Sequence, residues 1–274
     1  VAVLSVLGAC GNTPTSDTTT DSETQPTLSV YVSILPQRTF VERVGGDHVE
    51  VKVMVLPGES PATYEPSPDQ LTGLSTADAY MSIGVPFERS WLDRIREANP
   101  NMMMVDTAQG IERTSVTAHT HNAGEEEGHE GDHEDMQADG SPESAAASEP
   151  EAMKDPHIWL SPKLVKQQAA TIANALAQLD PDHASDYQAN LTAFQSEIDD
   201  LDQDIHTTLA GVEQRSFLVF HPSWGYFAED YGLEQIAVEV GGQEPSAAEL
   251  QEIISLAKQE GIKIVFAQPE FSTK

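Results

Sequence analysis

Two histidines in this chain stand in settings that suit a metal ion. His157 lies within Asp155-Pro156-His157-Ile158-Trp159-Leu160-Ser161-Pro162, pinned between prolines. His221 opens the segment His221-Pro222-Ser223-Trp224-Gly225-Tyr226-Phe227, in the other half of the chain. A neutral imidazole presents one ring-nitrogen lone pair, and zinc collects such donors together with carboxylates. The expectation is that these two side chains meet across a cleft and hold a transition metal, zinc first. The competing reading makes each a hydrogen-bonded histidine at the end of a buried strand, and neither residue taken singly decides between the two.

Context adds weight. His119, His121, His129 and His133 crowd into fifteen residues of an acidic stretch, and they are four of the chain's nine histidines. Between His119 and Asp155 twelve Asp/Glu stand against one Lys, so this stretch carries −11 of a formal net charge of −31. Low hydrophobicity and high charge make an insert at about 107–154 that cannot bury a core of its own. Histidine-rich tracts capture zinc weakly while their rings are neutral, and the bland alternative is a solvated linker. The remaining acidic excess is spread widely; 45 acidic against 14 basic residues repel nucleic acid and anionic membrane surfaces and attract cations. The chain has no His-Glu-x-x-His, no Gly-x-Ser-x-Gly elbow and no phosphate-binding glycine loop.

A single cysteine, Cys10, excludes an intramolecular disulfide and a cysteine-based zinc site. It follows an apolar run, and Leu7-Gly8-Ala9-Cys10 resembles a bacterial lipobox, so residues 1–10 read as a truncated lipoprotein signal with Cys10 as the lipidated residue. Residues 11–27, rich in Thr, Ser, Asp and Pro, read as a flexible tether.

Elements that could position the two histidines follow from Leu28 onward. Strands are expected at Leu28–Ile34, His48–Val55, Ala79–Gly84 and Met102–Val105, with helices at Pro36–Val44, Ser67–Thr76 and Pro86–Ala98 between them. This alternation predicts βαβ units and a mostly parallel sheet, whose ligands bind beyond the carboxyl ends of the strands. Ser161-Pro162 opens a helix to about Leu179. A longer amphipathic helix runs from about Ala184 to Leu209, roughly 39 Å at 1.5 Å per residue, with an apolar stripe from Tyr187 to Leu209. A second βα series comprises strands Ser216–Phe220, Gln235–Val240 and Lys263–Ala267 and helices Pro222–Tyr231 and Ser246–Gln259, the last with a Ser246/Glu249 capping box. The organisation expected is an N-terminal lobe at 28–180, a linking helix at 181–211 and a C-terminal lobe at 212–274 that wants a further βα unit.

Four segments together resemble the metal-specific solute-binding proteins of ABC importers, the zinc and manganese group. They are Pro57-Gly58-Glu59-Ser60-Pro61-Ala62-Thr63-Tyr64-Glu65-Pro66, the Asp155–Pro162 segment, His221–Phe227, and Gly241-Gly242-Gln243-Glu244-Pro245-Ser246 leading to Phe266-Ala267-Gln268-Pro269-Glu270-Phe271. The resemblance implies an α/β fold of two lobes joined by a long backbone helix, with metal in the interlobe cleft. It implies no enzymatic activity but capture of Zn2+ outside the cytoplasm, by a lipid-anchored monomer that works with a membrane permease and its ATPase. His221 and the histidine-rich insert are features of the zinc branch, whereas the manganese branch carries a carboxylate at the position of His221. Both His157 and His221 carry over as ligands. The family's first histidine does not: Ala62 stands there. Glu65, Glu59, a histidine of the insert or water could supply that donor. A manganese-binding homologue, a metal-binding adhesin or buffer, and a zinc-dependent hydrolase using an open coordination position are the alternatives.

Overall fold

A computed structural model describes residues 27–115, 154–239 and 243–267. The first half builds β1 (Leu28–Ile34), α1 (Leu35–Gly45), β2 (Val49–Val55), α2 (Pro68–Leu74), β3 (Ala79–Ser82), α3 (Pro86–Ala98) and β4 (Met103–Asp106). Its four strands pair in the order β2-β1-β3-β4, all parallel. Side chains alternate across a strand, so each central strand feeds two cores. Val30, Val32, Ala79 and Met81 pack on one face with residues of α1 and of two later helices, while Tyr31 and Tyr80 pack on the other with Leu74, Phe87 and Ile95.

Those later helices are α4 (Pro162–Leu179) and α5 (Ala184–Leu209). Ser161 caps α4 by accepting the Leu164 N–H at 3.2 Å. The apolar stripe of α4, with Val165, Ala169, Ile172 and Leu176, joins Tyr187, Leu191, Phe194 and Ile198 of α5 in the first core. Each fully buried aliphatic side chain of this kind contributes about 1.5–3 kcal/mol. Only the first half of α5 is anchored in this way: its buried residues end at Ile198, and Leu201 is exposed.

The second half contains β5 (Ser216–Val219), α6 (Gly225–Tyr231), β6 (Glu234–Ala237), α7 (Ala247–Gln259) and β7 (Val265–Phe266). Its parallel sheet has the order β6-β5-β7. Here Ile264, Val265 and Phe266 are exposed. The α/β class with parallel sheets and a long helix is therefore as expected.

Several boundaries moved, for reasons outside the local sequence. Gly46–His48 form a 3-10 turn, with Gly46 at φ 56, so β2 begins at Val49 instead of His48. β6 stops at Ala237, the partner of Val219 where β5 itself stops. α6 starts at Gly225, three residues later than the sequence suggests, because the buried Gln235 side chain accepts the Trp224 N–H at 2.7 Å. That bond holds His221-Pro222-Ser223-Trp224 as a loop.

Candidate metal centre

In each sheet the chain crosses to one side of the first strand and later returns to the other. In the second sheet this switch lies beside β5, and His221 follows the carboxyl end of that strand. Ligands of open α/β sheets gather at such points. The loop is fixed at both ends: Phe220 N–H donates to Phe266 O at 2.8 Å, and Ser223 N–H to His221 O at 2.8 Å. Glu239, just past β6, is brought alongside by its own N–H donating to Phe220 O at 3.0 Å. Its carboxylate then meets His221 Nδ1 at 2.5 Å.

His157 is held by the same chemistry from the first lobe. Asp155 N–H donates to Thr114 O at 2.9 Å, which fixes the start of the segment. Asp155 Oδ1 accepts the His157 backbone N–H at 2.9 Å and contacts His157 Nδ1 at 2.5 Å. After His157 the chain makes one 3-10 turn, Ile158–Leu160, that buries Ile158 completely in the second core. The Trp159 ring lies 5.0 Å from that of His157. A short buried anchor, an acceptor two residues upstream and a flanking indole leave the imidazole little freedom.

The two Nε2 atoms face each other at 3.3 Å across the lobes. A carboxylate only accepts, so each Nδ1 carries the proton and each Nε2 presents its lone pair. Two lone pairs at this distance repel unless a cation lies between them. Two nitrogens at about 2.05 Å from one tetrahedral zinc stand roughly 3.3–3.4 Å apart, which is the separation found. The same spacing also suits an N–H···N hydrogen bond between the two rings. The pair can therefore hold a metal or bond ring to ring.

The pair supplies two donors. Among the described residues no group of three or more His, Cys, Asp or Glu is arranged to hold a metal ion. Ala62 sits exposed in the 57–66 loop. Glu59 uses its carboxylate to accept the Leu56 N–H at 2.9 Å, and Glu65 is exposed; the structure brings neither into such a group. His119, His121, His129, His133 and Cys10 lie outside the described residues. Sequence reasoning missed the two carboxylates behind the histidines. Asp155 had a local signal, an acceptor two residues before a histidine; Glu239 had none, since only the β5–β6 pairing places it.

Below the first sheet's carboxyl end, Gln37 ties the strand ends together. Its Oε1 accepts from Ser33 N and Ile34 N, and its Nε2 donates to Met81 O and Thr107 Oγ1. Glu88, buried under the same edge, accepts from Ile83 N at 3.0 Å and Gly84 N at 2.8 Å; burial outweighs these bonds and pushes its carboxyl above the ordinary range. A second histidine cluster, unforeseen, lies at the start of α5: His48 stacks on His183 at 3.9 Å. Asp180 accepts from Tyr187 OH at 2.8 Å and contacts His183 Nδ1 at 2.6 Å. Desolvation alone would raise Asp180, but these hydrogen bonds and the charges of His183 and His48 together hold it below its usual pKa.

Known proteins share this architecture. The high-affinity zinc uptake system protein ZnuA of Bacillus subtilis (strain 168) is 26% identical over 273 residues, 98% of this chain and 79% of its own length. The zinc-binding protein AdcA of Streptococcus pyogenes serotype M6 is 28% identical over 262 residues; the match takes in 90% of this chain but 47% of AdcA, so the chain spans about half of that relative. A crystal structure of ZnuA superposes with a TM-score of 0.76 at 44% identity, covering 90% of this chain and 84% of that one. A ZnuA deletion mutant with zinc bound gives 0.73 at 45% identity, covering 90% and 83%. The model of the family described as zinc-uptake complex component A, periplasmic (ZnuA), matches residues 30–274. By that match this chain belongs to the periplasmic zinc-uptake component A family.

Proposed function

We propose that this protein is the extracytoplasmic zinc-capturing component of an ABC importer, with His157 and His221 as ligands from opposite lobes. The observation that carries the reading is the 3.3 Å approach of two Nε2 atoms whose Nδ1 partners are both carboxylates. Relatives named as zinc uptake and zinc-binding proteins support the choice of metal. Zinc is cargo, and the work done on it is ligand exchange rather than turnover of a substrate. Neutral imidazoles take the ion, the carboxylates behind them raise ring basicity, and water or a further donor completes the shell. A permease and its ATPase receive the metal. Cys10, lipidated, would tether a monomer to the outer face of the membrane. Acidification releases the ion, because each ligand must be neutral to bind it.

Metal analysis and calorimetry on the purified protein test this. His157→Ala and His221→Ala should each abolish the tight site, while a chain lacking 117–150 should keep it. Loss of all zinc on deleting 117–150 alone would place the site in the insert and refute the reading.

A further inference from the structure

Tyr226 belongs to α6 of the second lobe, yet its ring is buried among residues of the first, in the core that contains Tyr31, Tyr80 and Ile158. Only 5% of it is exposed. Its hydroxyl donates to Asp155 O at 3.0 Å and accepts the Thr114 N–H at 3.2 Å. Those two residues are already joined, Asp155 N–H to Thr114 O, and the next pair outward, Ser115 and Lys154, forms an antiparallel bridge. One phenol thus closes a junction between two paired chain segments of one lobe and a helix of the other. Asp155 is also the residue whose carboxylate aims the His157 ring. A second attachment between the same parts stands nearby. Ser161 Oγ donates to Asp230 Oδ2 at 2.5 Å, and Lys163 Nζ to Asp230 Oδ1 at 2.8 Å, where Asp230 is again a residue of α6.

We propose that Tyr226 is a positioning residue for the metal: its hydroxyl fixes the backbone of Asp155, and through the Asp155 carboxylate the direction of His157 Nε2. This rests on His157 and His221 being the zinc ligands. The consequence is that engagement of the lobes and orientation of the first-lobe ligand are one event. With α6 withdrawn, Asp155 loses one of the bonds that hold it, and His157 loses its aim together with its partner His221. Apolar packing of the ring does not provide this. The hydroxyl does, so the two contributions separate by removing one atom.

Tyr226→Phe keeps the buried ring. It should raise the zinc Kd about tenfold, the lower end of what indirect support of a ligand contributes. Zinc release to a chelator should quicken to match. Tyr231→Phe is the control: it sits on the same helix, and its hydroxyl donates to Asp202 Oδ1 at 2.7 Å, remote from His157 and His221 in hydrogen-bond connectivity. That variant should lower the melting temperature and leave Kd unchanged. In metal-free protein with labelled imidazole nitrogens, the His157 Nδ1 resonance should move in Tyr226→Phe and not in Tyr231→Phe. Unchanged Kd and release rate in Tyr226→Phe, with wild type binding through His157, would overturn the proposal. Equal weakening by both variants would overturn it too, since general loosening of α6 would then suffice. If wild-type binding survives His157→Ala, the ligand assignment itself fails and the positioning role falls with it.

Discussion

Replacing Glu239 with Gln removes one charge and almost no volume, which makes it a sharp probe of the metal centre. The Glu239 carboxylate meets His221 Nδ1 at 2.5 Å, and both side chains are largely buried. Across the ring, the carboxylate charge stands roughly 6.5 Å from an ion on Nε2. Between charges of −1 and +2 that separation is worth about 1.3 kcal/mol in a water-like medium and about 5 kcal/mol at an effective dielectric of 20. His221 remains about a quarter exposed, so the lower part of the range applies. Removal of such a carboxylate partner typically costs 10–100-fold in metal affinity, or about 1.4–2.7 kcal/mol, within the same range. Glutamine adds a second handicap. If its amide NH2 turns toward Nδ1, the proton moves to Nε2 and the donor is lost. Competition against a chromophoric zinc chelator at neutral pH should therefore show Kd rising at least tenfold, with a metal-free melting curve close to that of wild type. An affinity within twofold of wild type would refute the argument that Glu239 sets the tautomer and charge of His221.

Other expectations follow from the same geometry. Ala62→His, at an exposed position, should tighten zinc binding in calorimetry; an unchanged Kd would mean that another group already occupies that coordination position. Ile172→Ala, at a fully buried site in the first core, should cost about 2–5 kcal/mol in urea unfolding. Asp180 has a depressed pKa in the fold, so its contribution is present above the unfolded carboxylate pKa and is lost as pH falls through the folded value. Tyr187→Phe deletes one of the bonds that depress it. The variant should be less stable near neutral pH, and the gap from wild type should shrink as acid protonates Asp180, as urea midpoints between neutral and acid pH would record.

The parts legible in the sequence are those fixed by neighbours along the chain. α4 begins and ends, and α5 begins, where the sequence places them because Ser161, Pro162, Asp180 and Pro181 act on their own turns, and the Ser246/Glu249 box closes on itself in the same way. Strand ends were less legible, since β6 ends where β5 does and no residue of β6 announces it. The loop that carries His221 shows the same limit, for Gln235 reaches across to hold Trp224. The two histidines stood out by type and by their prolines. Their approach to 3.3 Å, and the carboxylate behind each, belong to the pairing of distant segments. The stacking of His48 on His183 is likewise a product of topology, as it joins the turn after α1 to the turn before α5.

The junction at Thr114, Ser115, Lys154 and Asp155 has a further consequence for how such a protein can change. Residues far apart in sequence, Thr114 with Asp155 and Ser115 with Lys154, meet there at one paired point. Bringing two points of a chain together costs free energy that grows only as the logarithm of the number of residues between them, about 0.6 kcal/mol for each doubling. The pairing of Ser115 with Lys154 is thus only weakly sensitive to the number of residues that separate them. Changing the number of residues between these two positions should therefore leave the melting temperature close to that of the parent chain, so that length there can vary while the paired ends stay joined.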